Sequence, residues 1–221
     1  MGDDYEADQM AAAGKCSDRL PSANTGRSGP RPKFSQKPAT FFAPMLTDAL
    51  FSLLPRPSRP REQGTAAEWG AVTSKLGGPL PTDYMQFVDH YGSGTINGFL
   101  TVFNPFSANP HVNLLDQVFV QLSALRELRT NFPNEFEFPL FFEPGGLLPW
   151  AASADGDVFF WSTAGESGAW EVVTVPRSDS PERFKLSMSQ FLARGLTGQV
   201  RSAALPQYFA SGMGSFEPHP A

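Results

Sequence analysis

Two aspartates separated by one glycine, Asp155 and Asp157, come nearest in this 221-residue chain to a catalytic or metal-binding pair. Paired carboxylates can hold a divalent cation, because Ca²⁺ and Mg²⁺ prefer oxygen ligands. The intervening Gly156 supports a second interpretation, since Asp beside Gly is favoured in tight turns by its hydrogen bonds to the nearby backbone. Both interpretations stay open on the sequence, and the turn is the more common use of such a segment.

The other residues with reactive side chains lack the neighbours that their chemistry requires. His111 has no carboxylate or cysteine at ligand spacing. Gly145 and Gly146 follow a proline and precede a strand-like run, whereas a phosphate loop precedes a helix. Cys16 stands alone in a polar segment, and no serine lies in a Gly-x-Ser-x-Gly elbow. We therefore expect no catalysis, no cofactor and no bound metal.

A β-hairpin centred on Asp155 and Gly156 is predicted to carry the two acids. Residues 147–153 are mostly apolar and residues 158–161 are large β-formers, and Asp-Gly between two such runs is a strong hairpin signal. A two-residue type I′ turn would give the pairs Ala154–Asp157, Ala152–Phe159 and Trp150–Trp161. Both indoles would then lie on one face of the sheet. Because the other face is also apolar, we expect the hairpin to be interior to a sheet.

Charge is unevenly distributed along the chain. Residues 65–212 contain eight Lys and Arg against 14 Asp and Glu, a net charge of −6. Residues 1–64 contain nine against seven, a net charge of +2. An acidic domain repels phosphate backbones, so we expect no direct nucleic-acid ligand. A basic protein partner would suit the domain better.

Composition divides the chain into one domain and two tails. Residues 1–63 predict a disordered, proline-rich tail and linker, and residues 213–221 predict a second, shorter tail. Residues 47–54 could form a short helix, either docked on the domain or isolated. The large apolar residues concentrate in the predicted domain, residues 64–212. A chain that starts near Glu62 is therefore expected to keep nearly the same thermal midpoint.

The cysteine count and the hydropathy pattern predict a cellular location. A single cysteine allows no intramolecular disulfide, and a reducing cytoplasm is the simplest compartment for such a chain. No apolar run approaches the roughly 20 residues that a membrane span needs, so we expect no membrane partner.

Helix and strand signals follow one another through the predicted domain. Capping boxes are predicted at Thr65–Glu68 and Ser187–Gln190, and Asn113 predicts the start of a long helix. A further helix is predicted to start near Pro81 and to stop at Gly92. Strands are predicted at residues 96–104, 147–153, 158–161 and 169–175, and near Phe184. This order indicates an α+β domain whose central, largely antiparallel sheet is flanked by helices.

Several longer motifs occur in a fixed order between about residues 64 and 205. They are Trp69, the segment LGGPLPTDYMQFVDHYG at 76–92, GFLTVFNPF at 98–106, the hairpin PGGLLPWAASADGDVFFW at 144–161, Trp170, and a Ser-x-x-x-Phe-Leu helix at 187–192. The ordered set resembles the SMI1/KNR4 domains of the SUKH superfamily.

That resemblance implies an α+β interaction domain without known catalysis. Bacterial members look like immunity proteins that bind and neutralise a cognate toxin, often a nuclease, in interbacterial competition. Fungal members act as regulatory scaffolds in cell-wall and stress signalling. The content of Ala, Gly, Arg and Pro favours the bacterial branch. The basic, proline-rich N-terminal 60 residues depart from short immunity proteins and leave the scaffold interpretation open.

An acidic domain could occupy the basic cleft of a nuclease toxin as a phosphate mimic. The predicted partner contacts are the acids near the hairpin and the following loop, Glu143, Asp155, Asp157 and Glu166. The alternative is that these four side chains only add solubilising surface charge.

Overall fold

The structure, a computed structural model, describes residues 48–134 and 136–220. The α-helices in this range are α1 (Asp48–Leu53), α2 (Ala66–Leu76), α3 (Thr82–Tyr91), α4 (Leu114–Asn131) and α5 (Met188–Leu196). The strands are β1 (Gly94–Ile96), β2 (Leu100–Val102), β3 (Leu147–Ser153), β4 (Val158–Ser162), β5 (Glu171–Val175), β6 (Glu182–Phe184) and β7 (Phe216–Pro218). Short 3-10 helices follow β4 and α5, at Ser167–Ala169 and Gln207–Phe209.

Side-chain hydrogen bonds at the helix starts explain where three helices begin. Both predicted capping boxes are confirmed, Thr65–Glu68 at α2 and Ser187–Gln190 at α5. The Asn113 side chain accepts from two N–H groups in the first turn of α4. Each of these side chains satisfies amides that have no carbonyl partner within the helix.

All the strands form one sheet in the order β6-β5-β4-β3-β2-β1-β7, and every neighbouring pair is antiparallel. The predicted α+β class is therefore confirmed. The hairpin of β3 and β4 lies in the interior of the sheet, as its two apolar faces predict. None of the helices in residues 48–134 and 136–220 has the length and apolar character of a membrane span.

Helices cover both faces of this sheet. Tyr84 of α3 packs its ring 5.0 Å from Trp161, and Phe191 of α5 lies 6.4 Å from Trp150. Val175 points to the opposite face, because side chains alternate along a strand, and it lies there beside Leu128 of α4. The core therefore has one aromatic layer under α3 and α5 and a second apolar layer under α4.

The central hairpin differs from the predicted register. Ala152 pairs with Val158 and Ala151 with Phe159, so the predicted pairs Ala154–Asp157, Ala152–Phe159 and Trp150–Trp161 are wrong. The turn contains three residues, because the Ser153 N–H donates to the Asp157 carbonyl at 2.9 Å. Gly156 takes a positive φ of 91° whereas Asp155 does not, which is the pattern of a type I turn followed by a bulge.

A second irregularity keeps the two tryptophans together despite the shifted register. The pairing of β3 with β4 skips one position between Pro149 and Ala151, which makes Trp150 an extra residue in a β-bulge. The Trp150 ring lies 6.0 Å from Trp161 and 5.6 Å from Phe159. The prediction that the two indoles are neighbours on one face is confirmed, although Trp150 and Trp161 are not opposite each other in the strand register.

The predicted strand at residues 96–104 is a hairpin of two short strands, β1 and β2. Asn97 and Gly98 have φ values of 53° and 62°, and the Phe99 N–H donates to the Ile96 carbonyl. Positive φ at both central residues is the requirement of a type I′ turn, which Asn-Gly meets with little strain. The Asn-Gly pair is therefore the type I′ turn of this sheet, and the Asp-Gly pair is not.

Ordered elements extend beyond both predicted domain limits. Leu50 and Leu54 are fully buried, and α1 packs on α5, so residues 48–63 belong to the domain and the predicted boundary at residue 64 is wrong for them. At the other end β7 pairs with β1, so the predicted tail at residues 213–221 is also corrected. The Gly214 N–H donates to the Leu53 carbonyl at 2.7 Å, which joins the two terminal segments. The predicted disordered tail in residues 1–47 lies outside the described residues.

Candidate partner-binding surface

Glu143 lies in the turn that precedes β3 and is tied to α4. Its carboxylate accepts two hydrogen bonds from the Arg129 guanidinium, at 3.0 and 3.1 Å, and one from the Leu140 N–H at 2.8 Å. The Arg129 hydrogen bonds, with that from Leu140, hold the pKa of Glu143 below its usual value. Both side chains of this ion pair are more than 40% exposed. Glu143 is therefore at the surface but already paired.

Asp157 is buried and engaged in the turn of the central hairpin. One carboxylate oxygen accepts from the Ser153 hydroxyl at 2.7 Å, and the other accepts from the backbone N–H of Arg177 at 2.9 Å. These bonds stabilise the three-residue loop and join it to the segment after β5. Asp155, two residues before, is exposed, and no group of three or more metal-ligating side chains occurs in the described residues.

Glu166 is exposed in the loop after β4, where it precedes the Ser167–Ala169 helical turn. This loop lies beside the turn that contains Glu143, because the Thr163 N–H donates to the Gly146 carbonyl at 3.0 Å. The structure thus places Glu143 and Glu166 at one end of the central hairpin and Asp155 and Asp157 at the other. The four predicted contacts form two separate groups, and of these four only Asp155 and Glu166 have exposed carboxylates without a hydrogen-bond or ion-pair partner.

Asp179, in the exposed loop between β5 and β6, is a further acid of this surface that the sequence does not single out. It lines a cavity of about 480 Å³ together with Asp155, Asp157 and Arg177. An adjoining groove of about 570 Å³ shares residues 176–179 and extends to the last turn of α4. The sequence carried only a weak signal for this site, namely two prolines that bracket a polar run at residues 177–180.

The polar residues of the Leu-Pro-x-Asp-Tyr segment serve the fold. The buried Asp83 carboxylate accepts from the N–H groups of Ser189 and Tyr84, at 2.9 Å each. Asp83 thereby joins the first turn of α3 to the first turn of α5. The Tyr84 hydroxyl donates to the Phe103 carbonyl at 2.6 Å, and burial raises the pKa of Tyr84 well above its usual value. Asp83 therefore fixes α3 to α5, and Tyr84 fixes α3 to the residue that follows β2.

The family comparison agrees with the architecture just described. The model of the SUKH_6 family, described as SMI1-KNR4 cell-wall, matches residues 67–192, which is more than half of the chain. The chain belongs to the SMI1-KNR4 family. A search of curated proteins gave no match. In this SMI1-KNR4 domain the family match covers α2 to the first half of α5, whereas α1 and β7 lie outside it.

Proposed function

We propose that this SMI1-KNR4 protein is a non-catalytic binding protein that neutralises a basic toxin of the nuclease type by covering its cleft. The observation that carries the proposal is the pair of exposed, unpartnered carboxylates of Asp155 and Glu166 on a domain of net charge −6. Such a surface attracts a cleft that is built to hold phosphates, and long-range attraction raises the association rate.

Glu143 and Asp157 take a smaller part in this proposal than their positions in the sequence predict. Each already accepts hydrogen bonds within the domain, so a partner cation would have to compete with Arg129 or with the turn. Replacement of Asp157 would also disturb local structure, because removal of a buried acceptor leaves its donors unpaired at a cost of about 1–3 kcal/mol. Asp155 and Glu166 are therefore the pair to test.

The test is the association rate between the full chain and a toxin encoded beside its gene, measured over a series of salt concentrations. The double variant Asp155→Asn with Glu166→Gln should associate more slowly, and its rate should depend less on salt. The matched control is Asp116→Asn with Glu127→Gln, which removes the same charge from exposed positions of α4. Equal rates for wild type and the Asp155/Glu166 variant at every salt concentration would reject the acidic mechanism.

A regulatory scaffold is the second candidate function. It is favoured by the basic, proline-rich residues 1–64, which precede the family match and have a net charge opposite to that of the domain. Proline-rich segments are common recognition sequences for other proteins. A gene neighbourhood without a toxin, together with a cellular partner that binds the full chain but not a chain starting at residue 47, would favour the scaffold over the immunity protein.

A further inference from the structure

We propose that the groove between the last turn of α4 and the β5–β6 loop is a docking site for a basic, amphipathic segment of a partner protein. The groove is lined by Leu128, Phe132, Phe136, Val175, Pro176, Arg177, Ser178, Asp179, Ser180 and Pro181. This inference deepens the proposed function and rests on it, because it names the surface and the partner chemistry through which binding would occur.

The floor of the groove is apolar and open to solvent. Phe132 ends α4 and is 48% exposed, although it is a large aromatic residue. Leu128, one turn earlier, and Val175, across the sheet face, are both only partly buried. The volume of about 570 Å³ lies within the range of about 300–1,000 Å³ that is usual for binding clefts. The groove can therefore take one or two large apolar side chains.

The rim of the groove is negative. The neighbouring cavity brings Asp155 and Asp179 to the same loop, residues 176–179, that forms one wall of the groove. Arg177 is the one cation among the lining residues of these two cavities, and its backbone N–H donates to the Asp157 carboxylate. The carboxylates of Asp155, Asp157 and Asp179 outnumber the Arg177 guanidinium, so the two cavities together have a net negative charge.

The orientation of α4 adds to this negative potential. The groove lies at the C-terminal end of an 18-residue helix, where the helix dipole places partial negative charge. The basic residue in its last turn, Arg129, is paired with Glu143. A cation of a partner would therefore be stabilised at this end of α4.

Apolar floor and negative rim together fix the kind of occupant. A segment that presents a Leu, Ile or Phe with a Lys or Arg within one helical turn would bury the apolar side chain beside Phe132. Its cation would then face Asp155 and Asp179. An acidic segment of the same shape would be repelled. This pattern of apolar anchors at helical spacing is the usual one for an amphipathic helix in a groove.

The experiment uses the full, ¹⁵N-labelled chain and two synthetic peptides of about 12 residues, one built of Leu and Lys and its twin with Glu in place of every Lys. We expect the Lys peptide to shift the amide signals of residues 128–132 and 175–181. The Glu peptide should leave these signals unchanged. Phe132→Ala should weaken binding of the Lys peptide by about tenfold, and Asp179→Asn should weaken it by about threefold at low salt.

Matched controls separate docking from general charge attraction. Phe119→Ala removes another exposed aromatic of α4, one that is 70% exposed, and Glu127→Gln removes another exposed acid; neither should change the affinity by more than about twofold. The proposal is overturned if the shifts spread over all acidic surfaces, if both peptides bind alike, if neither binds, or if Phe132→Ala and Asp179→Asn match the controls. The toxin association experiment is independent of these peptides, so either result can fail alone.

Discussion

Phe142 has a left-handed backbone conformation that its bulky side chain disfavours. The Glu143 N–H donates to the Leu140 carbonyl, and Phe142 has a φ of 73°, so residues 140–143 form a turn whose third residue is left-handed, as in type II. The next turn, residues 143–146, has the ordinary Pro-Gly pair, with Gly145 at φ 74°. A bulky side chain at positive φ is strained, and Phe142 regains little, because its ring is 64% exposed.

The first prediction is that Phe142→Gly stabilises the domain by up to about 1 kcal/mol. The left-handed conformation costs an L-residue about 1–2 kcal/mol, and this gain is reduced by about 0.4–1 kcal/mol, because glycine has more freedom in the unfolded chain, and by the lost contact with Phe141. Urea unfolding of both proteins measures the difference. The control, Gly145→Ala, introduces the same kind of strain in the next turn and should destabilise. A loss of stability in Phe142→Gly would show that the contact with Phe141 outweighs the backbone strain.

Glu143 gives a prediction on pH. Its pKa is lowered from the ordinary value of 4.5, first by the Arg129 hydrogen bonds, so the folded state binds this proton less tightly than the unfolded chain. Stability from the pair is therefore present above the unfolded pKa and is lost as the pH falls through the folded pKa. Carboxyl NMR should show Glu143 titrating below 4.5 in wild type, and Arg129→Met should raise that pKa.

The same pair can be followed through thermal unfolding. The difference in thermal midpoint between wild type and Arg129→Met should be present near neutral pH and should shrink as the pH falls below 4.5. The difference is expected to be small, because both side chains are exposed to solvent. A difference that grows toward acid pH would contradict the assignment of the Glu143 pKa to its Arg129 partner.

Among the elements, α1 gives the largest expected effect on stability. Leu50 and Leu54 have no exposed surface, and the Tyr91 hydroxyl donates to the Leu54 carbonyl at 2.6 Å. A chain that starts at Glu62 loses both side chains, each worth about 1.5–3 kcal/mol of burial. Its thermal midpoint should fall by about 10 °C, since about 1 kcal/mol corresponds to 2–4 °C at this size.

Two companion proteins test whether the loss comes from α1 itself. A chain that starts at residue 47 keeps α1 and should retain the midpoint of the full chain within a few degrees, as the composition of the preceding residues predicts. Leu54→Ala in the full chain should cost about 2–5 kcal/mol. If the chain starting at Glu62 melts with the full chain, then α1 adds nothing to the stability of the domain.

Elements with local signals could be predicted from the sequence, and elements held by distant contacts could not. The capping boxes of α2 and α5 are local, since each needs only residues three positions apart. By contrast α1 and β7 are short, and each is held in place by a distant element, α1 by α5 and β7 by β1. Composition describes only the segment itself, so it predicts a short helix at residues 47–54 without deciding whether that helix docks, and it places residues 213–221 in a tail.

Distant contacts also explain why the predicted register of the central hairpin is wrong and why two of the four predicted contact residues are already paired. The register of β3 and β4 depends on Asp157, whose carboxylate binds Ser153 and an N–H twenty residues along the chain, and on a bulge at Trp150. Asp-Gly alone does not contain that information. For the same reason the sequence identified Glu143 and Asp157 as acidic residues near the hairpin but could not reveal that both are already hydrogen-bonded.

At the scale of the whole molecule, the two exposed acids of the proposed surface are far apart. Asp155 and Glu166 lie at opposite ends of β3, a strand of seven residues, so about 20 Å separates them at about 3.3 Å per residue. The groove lies at the Asp155 end. A partner that docks in the groove therefore meets Asp155 at close range and Glu166 only through the long-range field.

Salt distinguishes these two roles, because it shortens the distance over which charges act. The Debye length is about 30 Å at 0.01 M salt and about 8 Å at 0.15 M, so both acids should steer association at low salt and only Asp155 near physiological salt.

We predict that Asp155→Asn and Glu166→Gln slow association with the toxin to similar extents at 0.01 M salt. At 0.15 M only Asp155→Asn should remain slower than wild type, and it should also dissociate faster. Stopped-flow kinetics of both variants at the two salt concentrations measures this. If Glu166→Gln keeps the larger effect at 0.15 M, the partner binds at the other end of the hairpin, beside Glu143 and Phe142, and the groove is not its docking site.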